Sequence, residues 1–190
     1  MKRIFDFALA AFGLIIFSPM ALFFALAIKF EDGGPIFYHQ DRWGRRGKKF
    51  TAYKFRTMVP DADKKWGFSP AQENDIRVTK IGKLARATAM DELPQLFNIW
   101  RGDMSFVGPR ALCVSEVDPG FPHFEERHEV RPGLTGPAQV HAPRDASLEE
   151  KFRYDLDYVA SQNVWKDLQL LFLSLAITLR GRWESREKKI

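Results

Sequence analysis

Cys113 is the only cysteine in 190 residues. One thiol excludes an intramolecular disulfide and a zinc site built on cysteines. Histidine is scarce as well: His39, His123, His128 and His141 are scattered, and the step from His123 to His128 matches no familiar ligand spacing. The chain has no internal repeat and no low-complexity tract. The apolar N-terminus has no small-residue cleavage site after a short hydrophobic run, so Lys2 and Arg3 do not read as the start of a signal peptide.

What is abundant is positive charge and aromatic surface. Lys and Arg outnumber Asp and Glu by 29 to 24, a formal charge of +5, which favours polyanionic partners: anionic lipid, nucleic acid or phosphorylated small molecules. Seventeen Phe and five Trp exceed what a small soluble core needs, and burial at a membrane interface is a natural use for them. The length suits one domain.

Residues 4–28 are almost wholly apolar, interrupted by Asp6, Gly13 and the pair Ser18–Pro19. A straight helix of about 25 residues would reach ~37 Å, enough for a hydrocarbon core of ~30 Å. Against that, Pro19 cannot donate to the Ile15 carbonyl and pushes on it, so a kink is expected, with the Ser18 hydroxyl able to satisfy freed backbone groups. Each half alone is too short to cross. Basic residues flank both ends: Lys2 and Arg3 before, Lys29, Arg42, Arg45, Arg46, Lys48 and Lys49 after. A segment that dips in and returns would keep both flanks cytoplasmic; a straight span would keep one. On these grounds alone, span and re-entry both stand.

Beyond the turn Gly33–Gly34–Pro35, two β-leaning runs, 36–40 and 50–58, enclose a Gly-containing loop and predict a hairpin. Residues 59–78 read as a polar loop with some helix, and 80–89 as a short basic helix. Residues 91–100 read as a helix ended by Gly102, and 106–110 as strand-like. The stretch 116–129 is turn-rich and then helix-compatible, 131–137 an irregular loop, and 148–160 and 164–179 helices. The last is apolar nearly all round; Trp165 at one end with Arg180, Arg182 and Trp183 at the other favours the bilayer surface over the core. The expected fold is α+β: a membrane helix-break-helix over 1–30, then a mainly helical catalytic domain over 31–190 with a small hairpin and amphipathic interface helices.

The chemistry centres on Asp91-Glu92-Leu93-Pro94. Proline is tolerated in a first helical turn, which puts Asp91 near the N-cap of a helix. Acidic residues commonly cap helices with no further role. A helix N-terminus is also a phosphate site, however, and an aspartate with an ordinary pKa of ~3.9 is already an ionised nucleophile able to form an acyl phosphate. Mg²⁺ shared between such a carboxylate and a diphosphate would relieve their repulsion. Glu92 points about 100° away and would tune the site instead. Lys54 and Arg56 on the hairpin, with Arg110 and Arg131 beside Gly-Pro turns, suit phosphate oxygens, though each alone reads equally as a solvated charge.

Lys54-Phe55-Arg56-Thr57-Met58, Asp91-Glu92-Leu93-Pro94-Gln95-Leu96-Phe97-Asn98, Gly102-Asp103-Met104-Ser105-Phe106-Val107-Gly108-Pro109-Arg110 and Arg131-Pro132-Gly133-Leu134-Thr135-Gly136 follow one another in this order. In these motifs, and across essentially its whole length, the chain resembles the monotopic phosphoglycosyl transferases of the bacterial sugar transferase family, in their minimal catalytic form. The resemblance implies a UDP-sugar donor, an undecaprenyl phosphate acceptor and Mg²⁺ at the cytoplasmic face of the bacterial inner membrane. It implies re-entry at Ser18–Pro19, so that both termini are cytoplasmic. It maps the family's Asp-Glu dyad onto Asp91 and Glu92, with Asp91 as nucleophile and metal ligand and a covalent phosphosugar-aspartyl intermediate. Substrate-binding roles are implied for Lys54, Arg56, Arg86, Arg110, Arg131 and Arg144. The chain departs from the family pattern at Ala111, at Pro137 and at His141-Ala142-Pro143-Arg144, where Arg144 takes an arginine's place one residue late.

Two other readings compete. A membrane-anchored protein holding nucleic acid or lipid would use the charge but leaves Asp91-Glu92 unexplained, so no nucleic-acid partner is expected. An enzyme passing phospho-groups from a nucleotide-activated alcohol to a lipid usually needs several spanning helices. Amphipathic helices and tail residues such as Trp183 offer a surface for a homo-oligomer.

Overall fold

In the computed structural model, which describes residues 2–67, 75–143 and 145–180, the apolar N-terminus forms two helices, α1 (Lys2–Ile16) and α2 (Ser18–Asp32). Their axes bend by 59° at the single residue between them. The reason is local and is the one expected. Pro19 leaves the Ile15 carbonyl without its amide donor, and Ser18 Oγ donates to that oxygen at 2.7 Å. Among the described residues no single helix is long and apolar enough to cross a membrane, whereas the bent pair together meets that criterion of length and composition.

Antiparallel strands β1 (Phe37–Trp43) and β2 (Lys49–Phe55) form the expected hairpin, with Phe37 opposite Phe55 and Trp43 opposite Lys49. Short helices α3 (Ala62–Trp66) and α4 (Lys80–Ala87) follow, and then α5 (Gln95–Arg101). Helix α5 stops at Gly102, whose φ of 95° only glycine adopts freely and whose amide donates to the carbonyls of Asn98 and Ile99. After β3 (Ser105–Val107) come α6 (Phe124–Arg127), β4 (Gly133–Thr135), α7 (Pro137–His141), α8 (Leu148–Ser161) and α9 (Val164–Leu179).

The stretch 131–137 is not irregular. It pairs β4 in parallel with β3, then starts α7 on Pro137. Glycine makes this possible: a Cβ on Gly133 would lie 2.2 Å from the Gly108 nitrogen, and one on Gly136 2.0 Å from the Gly108 oxygen. The two segments touch backbone to backbone.

Polar residues of α1 fasten it to this body. Arg3 donates to the carbonyls of Ile99 and Trp100, 2.6 Å each, where α5 ends and its carbonyls lack helical partners. Buried Asp6 accepts from Ser105 Oγ at 3.0 Å and the Phe106 amide at 3.2 Å. Ala10 packs with Leu96, Ile99, Met104 and Ala111 in one core cluster, while Phe24 and Ile28 of α2 pack with Phe55 and Ala85 in another. The pair also exposes Ile4, Phe5, Phe12, Ile15, Leu22, Phe23 and Phe30, large apolar side chains of the kind that mark an interaction or membrane surface when they lie together. Helix α9 serves both environments: Leu170, Ser174 and Ile177 are buried, whereas Trp165, Phe172, Leu175 and Leu179 are exposed.

Candidate active site

The dyad lies one turn ahead of α5, not at its cap. Met90–Glu92 form a 3₁₀ turn entered through Ala89, which takes the left-handed φ of 57° that non-glycine residues avoid. Leu93, Pro94 and α5 continue from it, with Leu96 and Phe97 amides bonding back to the Leu93 and Pro94 carbonyls. Asn98, fully buried, ties α5 to β2: its Oδ1 accepts from the Tyr53 amide at 3.1 Å, and its Nδ2 donates to the Thr51 carbonyl at 2.8 Å. That tie places Lys54 over the 3₁₀ turn.

Lys54 Nζ stands 2.5 Å from Glu92 Oε1 and 4.0 Å from Asp91 Oδ2. One ammonium therefore serves two carboxylates unequally. Burial opposes ionisation of Glu92, but Lys54, Arg110 and Arg42 outweigh it and hold the carboxyl down at about 2. Burial raises Asp91 above the usual aspartate range; Lys54, Arg86 and Arg110 pull against the rise, and Glu92 adds to it. Asp91 accepts no hydrogen bond on its carboxylate among the described residues and is 16 % exposed. The result is an anion fixed by Lys54 beside a more basic carboxylate that accepts no hydrogen bond among the described residues.

Arg86, near the end of α4, and Arg110 make no side-chain hydrogen bond or ion pair among the described residues, yet both act on Asp91. They are cations placed near the carboxylates without being spent on them. Arg56 differs. Its guanidinium donates to Asp32 Oδ1 (2.5 Å) and Oδ2 (2.8 Å) and to the carbonyls of Pro35 (2.6 Å) and Met58 (2.7 Å), fastening the end of α2 to the hairpin. Arg131 Nε donates to the Gly102 carbonyl at 2.8 Å. The fold thus gathers Lys54, Arg86 and Arg110 around Asp91 and Glu92 and engages Arg56 and Arg131 elsewhere. Arg144, like Arg182 and Trp183, lies outside the described residues; His141 ends α7 stacked against Tyr154.

Among the described residues, no three His, Cys, Asp or Glu side chains cluster as a metal cage. Mg²⁺ does not need one, since it is commonly held by one or two carboxylates, substrate phosphates and water. The unbonded Asp91 carboxylate fits that role.

Beside the dyad opens an apolar cavity of about 580 Å³. Leu14, Phe17, Ala21 and Ala25 of the bent pair form one wall, Phe37, Tyr53 and Phe55 of the hairpin another, and Leu93, Pro94 and Phe97 the third. Leu93 directly follows Glu92, so charge and apolar space adjoin. Reading the sequence missed this cavity, and also buried Arg42. Arg42 feeds charge to Glu92 while donating to the Ala111 carbonyl at 2.5 Å and Gln40 Oε1 at 2.8 Å. Its only signal in the sequence was a basic residue just past the β-leaning run 36–40.

Known proteins resemble this sequence. The chain is 41% identical over 175 residues to the sugar transferase EpsL of Bacillus subtilis, covering 92% of this chain and 85% of EpsL. It is 40% identical over 183 residues to the UDP-glucose:undecaprenyl-phosphate glucose-1-phosphate transferase of Klebsiella pneumoniae, covering 92% of this chain and 39% of that one. With the UDP-N-acetylgalactosamine-undecaprenyl-phosphate N-acetylgalactosaminephosphotransferase of Aeromonas hydrophila it shares 37% identity, over 95% of this chain and 44% of that one. This chain therefore spans less than half the length of the two whose substrates are named. The sequence profile described as bacterial sugar transferase matches residues 1–181, nearly the whole chain. By that match and these identities, the chain belongs to the bacterial sugar transferase family.

Proposed function

We propose that this chain transfers a phosphosugar from a UDP-sugar to undecaprenyl phosphate, yielding undecaprenyl-diphospho-sugar and UMP through a covalent intermediate on Asp91. One observation carries the reading: an unbonded carboxylate flanked by two uncommitted guanidiniums, at the edge of an apolar cavity walled by the bent helices. A diphosphate needs the cations, its phosphorus needs the nucleophile, and a polyprenyl chain needs the apolar wall.

In the first half-reaction an Asp91 oxygen attacks the sugar-bearing phosphorus. A carboxylate–phosphorus bond forms, the bond from that phosphorus to the bridging oxygen breaks, and UMP departs with the electron pair. The attacking form is the ionised Asp91 carboxylate, which needs no general base. Unlike Glu92, it is not held by a hydrogen bond from Lys54. Glu92, pinned by Lys54, keeps that ammonium in place. In the second half-reaction an oxygen of the lipid phosphate attacks the same phosphorus and releases the Asp91 carboxylate. Arg86 and Arg110 attract the phosphate oxygens in both halves. Mg²⁺ held by Asp91 would supply Lewis-acid neutralisation of the diphosphate.

We assign residues 1–30 as a re-entrant element in the cytoplasmic leaflet of the bacterial inner membrane, with residues 31–190 and both termini on the cytoplasmic side. Each 15-residue half reaches only ~22 Å, short of a ~30 Å hydrocarbon core. The bend, the Ser18 hydroxyl on the Ile15 carbonyl and the exposed Phe and Ile side chains support it.

The decisive experiment incubates the full chain with donor alone, drawn from UDP-glucose, UDP-galactose and their N-acetyl counterparts. A stoichiometric burst of UMP is expected, with peptide mass spectrometry finding a sugar phosphate on Asp91. Full turnover by Asp91→Asn would refute the nucleophile.

A further inference from the structure

Three successive carbonyls in the turn that carries Arg110 are each held by a donor from a different part of the chain. Pro109 O accepts from the Gly133 amide at 2.9 Å. Arg110 O accepts from Arg127 Nη2 at 2.7 Å, and Ala111 O from Arg42 Nη1 at 2.5 Å. The second of these grips is the most deeply built. Arg127 is 2 % exposed, and its partner Asp155, on α8, is 1 % exposed. Arg127 Nε and Nη2 lie 2.9 and 2.8 Å from Asp155 Oδ2, and the guanidinium sits 4.7 Å over the Phe152 ring.

A buried ion pair is a poor stabilising device, because desolvation cancels most of its attraction and an apolar pair of similar volume often does as well. What this pair supplies that an apolar one would not is a rigid, directed donor to one carbonyl. That carbonyl belongs to Arg110, whose own guanidinium has no hydrogen-bonded partner among the described residues. The backbone it hangs from therefore sets where that side chain starts and which way its Cα–Cβ bond points.

We infer that Arg127, braced by Asp155, is a positioning residue for the phosphosugar transfer proposed above: fixing the Arg110 backbone fixes where the Arg110 guanidinium stands beside Asp91 and Glu92. Arg127 touches neither carboxylate. Its effect passes through Arg110, and α8 thereby sets the geometry of a site built on other elements. The inference rests on the proposed function, and its test separates the two.

The full-length enzyme and its Arg110→Met, Arg127→Met and double variants are compared by the UMP burst with donor alone, per folded enzyme, at one pH. Arg127→Met is expected to lower the burst rate on the order of 10- to 100-fold, as misplacement of a catalytic contact does. The double variant should be no slower than Arg110→Met alone, because the two act as one unit. Arg127→Lys, which keeps the charge and one donor, should recover part of the rate. If Arg127→Met yields no folded protein, the packed replacement Arg127→Met with Asp155→Leu gives the same comparison. Multiplicative losses in the double variant, or no recovery of rate in Arg127→Lys, would overturn the inference. Absence of any UMP burst from the unmodified enzyme with every donor would instead overturn the proposed function.

Discussion

Replacing Lys54 by methionine tests the electrostatics of the dyad more sharply than removing a carboxylate. The ammonium is 4.0 Å from Asp91, with both side chains mostly buried. Two unit charges at that distance interact by about 4 kcal/mol at an effective dielectric of 20 and about 1 kcal/mol in bulk water. An attraction of that size is enough to matter to ionisation, and loss of the ammonium should raise the Asp91 pKa, which Lys54 now pulls down. Asp91 must be ionised to attack, so the acid limb moves to higher pH. Glu92→Gln does the opposite: it removes the neighbouring anion that pushes Asp91 up, and the limb moves to lower pH. The assay is the single-turnover UMP burst with donor alone, since the lipid phosphate itself titrates near pH 6 and would blur the profile. Opposite shifts from two variants only one hydrogen bond apart are the signature. Shifts of the same sign, or none, would refute the assignment of the limb to Asp91.

Three further outcomes follow from the same geometry. Arg56→Met removes the bonds to Asp32 and to the Pro35 and Met58 carbonyls and should cost about 1–3 kcal/mol, lowering Tm by roughly 2–12 °C, whereas Arg86→Met should slow UMP release at an unchanged Tm; thermal melts beside rates separate the roles. Gly136→Ala would drive a Cβ to 2.0 Å from the Gly108 oxygen, and a loss of about 1–3 kcal/mol or more is expected by denaturant titration. Chelation by EDTA should abolish the UMP burst and added Mg²⁺ restore it, while far-UV circular dichroism stays constant because the metal is held by the site and not needed by the fold.

Elements whose cause is local could be read from the chain. Pro19 lacks its donor wherever it sits in a helix, so the break and the Ser18 bond to Ile15 followed from two residues. The hairpin and helices α8 and α9 likewise carry their own signals in turn residues and periodicity. The 131–137 stretch was misread because its strand exists only by pairing with β3, more than 20 residues earlier in sequence, across a contact that three glycines permit. The same limit governed the arginines. Arg56 and Arg110 each stand near a turn in a basic context, and nothing local says that one meets Asp32 while the other stays uncommitted.

Asp91, the candidate nucleophile, stands one turn ahead of where local rules put it. Helix capping would seat the carboxylate on free amides, a neutral and forgiving position. Instead Ala89 takes a left-handed conformation, a tight 3₁₀ turn follows, and two carboxylates share one lysine. Each of these costs free energy that local sequence does not repay, and all three meet within four residues. Tertiary contacts hold them there: Asn98 ties α5 to β2, and the hairpin brings Lys54 down onto the turn. A conformation that local preference disfavours, and distant contacts enforce, is where a protein can keep a carboxylate unbonded and basic beside positive charge. That mismatch between local rule and observed geometry is the physical ground for proposing Asp91, and not another of the chain's aspartates, as the carboxylate that attacks phosphorus.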